Sequence, residues 1–526
     1  MAKELYFGVN NVARKGSNVY IGINNIARKV KKMYIGVNNV ARLFYEGTPS
    51  PYAMLYSDGS MIFQYGNIAD SGKTLSNSYK VNKSYPTRVS IPWATSYGKI
   101  KTVTFKEDIE ITSLAYYMSS TNNLTSFNIG NLNINRITNM YNAFIYCDNI
   151  TGNPVCGANV INISQAYYNC YKLTGNPVCG NNVVNMSETY FWCHNLTGSP
   201  ACGANVTNMY NAYDDCRNLT GSPVCGDNVI NMGYAYQYCS NLTGSPVCKN
   251  KVTNMKGTYY RCYNLTGSPA CGSNVIDMGR TYLSCNNLTG NPVCGPNVTS
   301  MGETYEYCSN LTGSPVCGNK VTNMYSTYAY CRKLTGSPVC GPNVVSMYDT
   351  YVDCNNLTGN PVCGPNVTSM RDTYYNCYKL TGSPVCGKNV TGMPDTYHNC
   401  TNLTGSPVCG DNVTDMVGTY WNCCKLTGTP VFSNGVTNIY TTYYNCRNLS
   451  AGNVYMYSNN ISNVKNCFGG KNNSRRYNIK AYQNTTTWNT LRYNDTSSIV
   501  GAIITWTNYS NGGFYNTAYN IYVLPL

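Results

Sequence analysis

The chain has 526 residues and a net charge of +15, with 37 Lys and Arg against 22 Asp and Glu; 28 residues are Cys and only 2 are His. So few His exclude a His-based catalytic set or a run of zinc fingers, and a charged fraction of 11% excludes a charge-solvated disordered chain. No apolar run reaches the ~18 residues of a membrane span, and the opening Met-Ala-Lys-Glu-Leu-Tyr shows no apolar core of a secretory signal, so neither membrane insertion nor classical export is expected.

Residues 1–46 carry a 14-residue repeat: Leu5-Tyr-Phe-Gly-Val-Asn-Asn-Val-Ala-Arg returns from Val19 and again from Met33. Each Asn-Asn pair lies between short apolar stretches and tolerates positive φ, so three β-hairpins are predicted. Hairpins this small need a partner or copies of themselves, which suggests a homo-oligomer. The segment's charge is +6, which fits nucleic acid or a protein dock; because Arg follows the hairpin period, the dock is preferred and nucleic acid is not expected. The docking candidates are Tyr6, Arg14, Tyr20, Arg28, Tyr34 and Arg42. This Tyr-Ile-Gly-Val-Asn-Asn-Val-Ala-Arg module is similar to segments at the start of tail and other virion proteins of phages infecting Gram-positive bacteria. The resemblance implies attachment to tail or baseplate proteins.

Residues 47–99 read as a β-hairpin spacer, with strands on either side of Asp58-Gly59. Over 100–450 the cysteines act as a ruler. One series runs from Cys147 to Cys446 and another from Cys156 to Cys409, both in steps of 23 residues. A fixed period of this size indicates a solenoid. Each unit, as from Leu196 to Asn218, offers Leu, two Val positions, Met and Tyr to a shared interior and turns a corner at Thr-Gly-Ser-Pro. One coil cannot bury its apolar face, but stacked coils can. At the start, Thr121 stands where Cys is expected and the first units are irregular, as capping coils are. Residues 451–526 lose the period; stretches at 499–506 and 514–523 read as strands of a β-rich cap over the last coil's edge, or as a receptor-binding tip.

The 23-residue unit resembles the leucine-rich repeats of BspA-like bacterial surface proteins: an opening Leu, a Val pair, then Thr189-Tyr190 and Cys193 where that family has Ala-Phe-x-x-Cys. The run from Asn205 to Met209 also resembles repeats of bacterial and phage surface proteins. The expected fold is mainly β: a leucine-rich-repeat solenoid of about 14 coils, flanked by the N-terminal β-hairpin module and the β-rich C-terminal cap.

Packing explains the cysteines better than bridging. Bridges within a coil would leave Cys423 without a partner, because Phe432 occupies its partner's place. Buried thiols behave as small hydrophobes. Asn-Leu-Thr and Asn-Val-Thr match the glycosylation sequon, but they recur because the coil recurs, and stacked Asn side chains can form ladders.

The positions after Met and around the second Cys vary freely between coils. They supply the candidate recognition surface: Trp192, His194, Tyr210, Arg217, Tyr234, Tyr238, Arg261, Tyr307, Tyr325, Tyr330, Tyr348, Tyr375 and Trp421. Rigid rings mixed with Asn, Ser, Gly and Asp make a paratope-like surface, and drift at unconstrained positions would look the same. No enzyme, metal or cofactor is expected, since His194 and His398 both lie at varying positions in coils far apart. The leading expectation is a phage virion protein (tail, tail tip or fibre), assembled in the host cytoplasm, whose solenoid recognises a surface glycan, wall polymer or surface protein. An anionic wall polymer would suit the charge. The alternatives are a BspA-like adhesin at the bacterial surface and a capsid decoration or head fibre without a receptor.

Overall fold

The computed structural model describes residues 49–470, 477–493, 499, 507–508, 512–516 and 521–526, with the backbone of six strands inside 6–46. The chain divides into two compact units, Met1–Leu173 and Thr174–Leu526.

In the first unit, β1 (Tyr6–Val9) pairs antiparallel with β2 (Val12–Lys15), β3 (Tyr20–Ile23) with β4 (Ile26–Lys29), and β5 (Lys32–Val37) with β6 (Val40–Glu46). The backbones of Tyr6, Arg14, Tyr20, Arg28, Tyr34 and Arg42 lie in these strands; their side chains, and the Asn pairs between strands, fall outside the described residues.

Residues 47–99, read as a hairpin spacer, pair with the repeat region. β7 (Pro51–Tyr56) and β8 (Ser60–Tyr65) form the expected hairpin, and β9 (Leu75–Lys80) covers the other edge of β7. The free edge of β8 then pairs in parallel with β10 (Thr102–Phe105), which pairs in parallel with β11 (Ser126–Asn128). The hairpin therefore joins the first strands of the repeat region and covers an edge that would otherwise be open. Phe63 stacks on Phe105 at 4.5 Å and meets the edge of the fully buried Trp93 at 5.4 Å. Trp93 donates its indole N–H to the Tyr117 carbonyl at 2.8 Å. Thr121 fills its cysteine slot fully buried, and single parallel bridges link Ser113, Asn139 and Asn162.

The second unit shows how one coil works, and residues 265–287 serve as the example. Leu265, Val275, Met278, Tyr282 and Cys285 are fully buried. The expectation of two inward Val positions is half right. The residue after Pro, here Ala270, is half-buried, and Pro269 itself takes the interior. The corner requires left-handed backbone at Gly267, φ +79°. The expectation of a mainly β fold also needs correction. Regular strand in the coil shrinks to single parallel bridges, such as Asn254 to Asp277 and Asp277 to Ser300. Turns make up the rest, so the architecture is mostly non-helical with modest strand content.

From Met278 to Cys285, alternate amides reach the next coil: Met278, Arg280, Tyr282 and Ser284 donate to the carbonyls of Ser300, Gly302, Thr304 and Glu306 at 2.8–3.1 Å. The intervening amides close tight turns, Thr281 to Met278 and Cys285 to Tyr282, each at 3.0 Å. Interior polar atoms are satisfied in the same way. Thr281 donates to the carbonyls of Met255 or Met278 at 2.8 and 2.7 Å, and the Cys285 thiol donates to the Tyr259 carbonyl at 3.0 Å. Tyr282 accepts the Ala270 N–H at 2.9 Å and donates back to the Ala270 carbonyl at 2.6 Å. Its ring stacks between Tyr259 and Tyr305 at 5.6 and 5.5 Å. On the outside, Asn274 donates to the Asn250 backbone carbonyl of the previous coil at 2.9 Å, a side-chain-to-backbone tie rather than the expected ladder of Asn side chains.

None of the 28 cysteines is in a disulfide, but the two columns differ. The 147–446 series is fully buried, and the 156–409 series is only half-buried. In the second column sulfur also accepts: Cys248 receives the Gly272 N–H at 3.0 Å. Burial pushes the thiols up, Cys271 to about 11 and Cys340 to about 12. Phe432 is buried, edge-on to Tyr443 at 5.6 Å.

Beyond the coils, β12 (Gly452–Met456), β13 (Tyr477–Ala481), β14 (Thr507–Asn508), β15 (Phe514–Asn516) and β16 (Ile521–Pro525) form one sheet. β12, β13 and β16 run parallel; β15 and β14 add antiparallel. A helix, α1 (Thr486–Tyr493), was not expected from the sequence, and the strand read at 499–506 lies outside the described residues except Ile499.

Two outcomes follow from the interior. Tyr282→Phe orphans the Ala270 N–H and carbonyl and costs about 1–3 kcal/mol in denaturant titration, whereas Tyr325→Phe at an exposed ring costs nothing measurable. A thiol reagent applied to the native chain modifies the 156–409 series slowly and the 147–446 series only on unfolding, as peptide mapping will show.

Candidate recognition face

The variable side chains project from the Met-to-Cys ladder, except His194 and Arg217, which follow the Cys. Two positions in it have left-handed backbone: the second after Met and the one before Cys. In the 301–308 segment these are Glu303, φ +56°, and Tyr307, φ +61°. Left-handed φ favours Gly, Asn and Asp. That accounts for Gly257, Asp349, Asp353, Asn376, Asn399 and Asn422 at these positions without any ligand. The polar part of the paratope-like mixture is therefore a backbone requirement rather than free variation. It does not account for Trp192, Tyr234, Tyr238, Arg261, Tyr307 and Tyr330, which hold the same conformation, φ +55° to +64°. A bulky residue there costs about 1–2 kcal/mol.

The ladder lines these side chains up in columns. One before Cys, Tyr307 and Tyr330 stack at 4.4 Å with their planes 3° apart. Further along, the same column becomes an amide ladder, with Asn376 donating to Asp353 at 2.6 Å and Asn399 to Asn376 and Asn422 to Asn399 at 2.8 Å. Two before Cys, Tyr375, His398, Trp421 and Tyr444 form a continuous stack at 4.4, 4.3 and 5.6 Å. One after Met, Tyr325 stacks on Tyr348 at 5.3 Å, and Arg371 lies over Tyr348 at 5.7 Å.

The remaining candidates sit in smaller groups. Tyr238 tilts against Tyr260 at 5.2 Å, with the Arg261 guanidinium over both rings. Tyr210 meets Tyr234 edge-on at 6.1 Å, and Trp192 stacks on its neighbour Phe191 at 5.3 Å. His194 and Arg217 converge on Asp215, His194 at 2.9 Å and Arg217 through two nitrogens at 2.7 and 2.9 Å. The structure thus joins Tyr307, Tyr325, Tyr330, Tyr348 and Tyr375 in adjacent columns and ties Tyr375 to Trp421 through His398.

Sequence reasoning missed His398, Tyr260 and Tyr444 as partners, although their place two before Cys recurs every 23 residues. It placed Asp214 and Glu306 among the varying positions without giving them a role, and it missed the carboxylates of Asp349 and Asp372. Asp214 is buried, with Oδ1 unpartnered among the described residues; burial and the neighbouring Asp215 push it up to about 8.

No protein-family model and no curated protein matches the chain. Among solved structures it is similar to a leucine-rich cell surface protein from Faecalibacterium prausnitzii, at 13% identity over 70% of this chain and 94% of that one, TM-score 0.32. It is also similar to a leucine-rich repeat protein from Eubacterium ventriosum, at 13% identity over 89% of this chain and 97% of that one, TM-score 0.27. Superpositions this loose say nothing of a shared binding surface, partner or location.

Asp214 makes stability depend on pH. Its folded value lies above that of an unfolded Asp, so the folded chain holds the extra proton. The contribution of Asp214 to stability is greatest below about pH 4 and falls as pH rises towards the folded value of about 8. Asp214→Asn therefore raises the melting temperature by several degrees above that value and leaves it unchanged in acid, a comparison that thermal melts at the two extremes will make.

Proposed function

We propose that the chain is a non-catalytic recognition protein. Its stacked coils hold the aromatic columns of the Met-to-Cys face rigid against envelope glycans or surface proteins of a bacterium. One observation carries this reading: Trp192, Tyr238, Tyr307 and Tyr330 occupy left-handed backbone that Asn or Asp fills in other coils. Rings kept where the backbone disfavours them, partly exposed and, at Tyr307 and Tyr330, stacked in a row, are suited to stacking on sugar rings or flat protein groups. His194 and His398 are engaged with Asp215 and with the ring stack, and both roles are structural.

The setting we favour is a bacterial surface of the BspA-like type. A second reading, a phage virion protein docked through residues 1–46, is favoured by the three paired hairpins of the N-terminal repeat. Co-sedimentation of the full chain with phage particles, lost on deleting residues 1–46, supports the virion setting; surface labelling of intact cells supports the adhesin.

The double variant Tyr307→Asn/Tyr330→Asn separates binding from folding. Relief of about 1–2 kcal/mol at each position outweighs a ring stack of about 0.5–1.5 kcal/mol, so the melting temperature holds or rises. Adsorption of the full chain to isolated bacterial envelopes falls by about tenfold, the loss of one good aromatic contact. Undiminished adsorption, or a large loss of stability, contradicts the proposal.

A further inference from the structure

We infer that the hollow between Tyr307, Tyr330 and Tyr375 is a binding site for an organic ammonium ion, an inference that rests on the recognition reading and names a ligand class for it. The ring column two before Cys is interrupted here. Ala329 and Val352 stand between Glu306 and Tyr375, and the small side chains of Ser326 and Ala329, both buried, form a floor. Tyr325 closes the rim. The space enclosed is about 290 Å³, enough for an ammonium with several carbons attached.

The walls carry two complementary groups. Tyrosine faces are electronegative and attract a cation lying over them. Glu306, Asp349 and Asp372 add carboxylates. Burial first, then repulsion from Glu303 and Asp349, pushes Glu306 up to about 7, and burial with repulsion from Asp372 pushes Asp349 up to about 6, the behaviour of carboxylates short of positive charge.

The cations already present are engaged. Arg280 faces Glu306 but is held by both oxygens of Glu303, at 2.8 and 3.0 Å. Arg371 faces Asp349 and Asp372, bonds to Asp372 at 3.3 Å and lies over Tyr348. Asp395 and His398 face Asp372, and Asp353, which faces Tyr330, is paired with Arg332 at 3.7 Å, so the acids around the hollow still outnumber the Arg side chains. Among the described residues no three His, Cys, Asp or Glu side chains converge closely enough for a metal ion. An organic cation with a ring or methyl groups suits both the tyrosines and the acids. In a chain of net charge +15 this acidic pit is a local exception.

The test is calorimetric titration of the full chain with choline and with ethanolamine, both cationic across the range used, with glucose as the neutral control. At about pH 8, with Glu306 and Asp349 ionised, an ammonium ligand binds and glucose at equal concentration does not. At about pH 5, with both protonated, affinity falls by about tenfold. Asp349→Asn, which keeps the shape, and Ala329→Leu, which fills the hollow, each lower affinity by about tenfold at the higher pH. Preference for choline assigns a quaternary headgroup, and preference for ethanolamine a primary ammonium. Equal binding of glucose, binding indifferent to pH, or no heat with either ammonium overturns the inference. If neither ammonium binds while ring-dependent envelope adsorption persists, this inference fails and the recognition reading stands. If an ammonium binds while adsorption ignores the ring variants, the recognition reading fails and the site stands.

Discussion

The hydroxyl of the inner tyrosine is the contact on which the rest of the coil depends. The Thr-Gly-Ser-Pro corner includes a residue with no N–H, and the residue after it needs partners for both its own N–H and its carbonyl. In the coil containing Tyr282 one phenol oxygen serves both, while its ring packs between the rings of adjacent coils. Phe would supply the stacking and leave two buried backbone groups unpaired. This explains why the inner ring position of the coils from Tyr167 to Tyr443 is Tyr and not Phe. Once the corner is closed, the Met-to-Cys segment is held at a fixed height, and its alternate amides meet the next coil.

That ladder sets the terms for the outer face. It demands left-handed backbone twice per coil, which Asn, Asp and Gly meet at little cost. Coils such as those containing Asn399 and Asn422 accept this and gain a side-chain amide ladder. Coils containing Tyr307 and Tyr330 do not; they expose rings at a conformational cost that packing only partly offsets. The departures from the local rule mark the surface where binding is proposed, and the hollow at Ala329 lies beside them.

Much of the interior was legible in the sequence because it repeats. The 23-residue spacing identified the cysteine columns, the inward Leu, Met and Tyr, and Phe432 as an apolar stand-in for Cys. The β7–β8 hairpin was legible from Asp58-Gly59. Its parallel pairing with Thr102–Phe105 was not, because that contact is non-local and carries no turn signal. The half-buried state of the 156–409 thiols was hidden, since Cys looks alike in both columns. The freely varying positions looked unconstrained because φ is invisible in composition; only their bias to Asn, Asp and Gly hinted at it. Four of the five stacked residues at Tyr307, Tyr330, Tyr375, His398 and Trp421 were foreseen singly. The carboxylates among them were not, since a sequence does not show which acids share one hollow.

Native-state hydrogen exchange tests the central claim most directly. If the inner tyrosine hydroxyl closes each corner, the amides of Ala270, Val293 and Val316, each bonded to it at 2.9–3.0 Å, exchange as slowly as the ladder amides of Tyr282 and Tyr305. Exchange of those corner amides at the rate of an open loop, with the ladder amides still protected, would contradict the account.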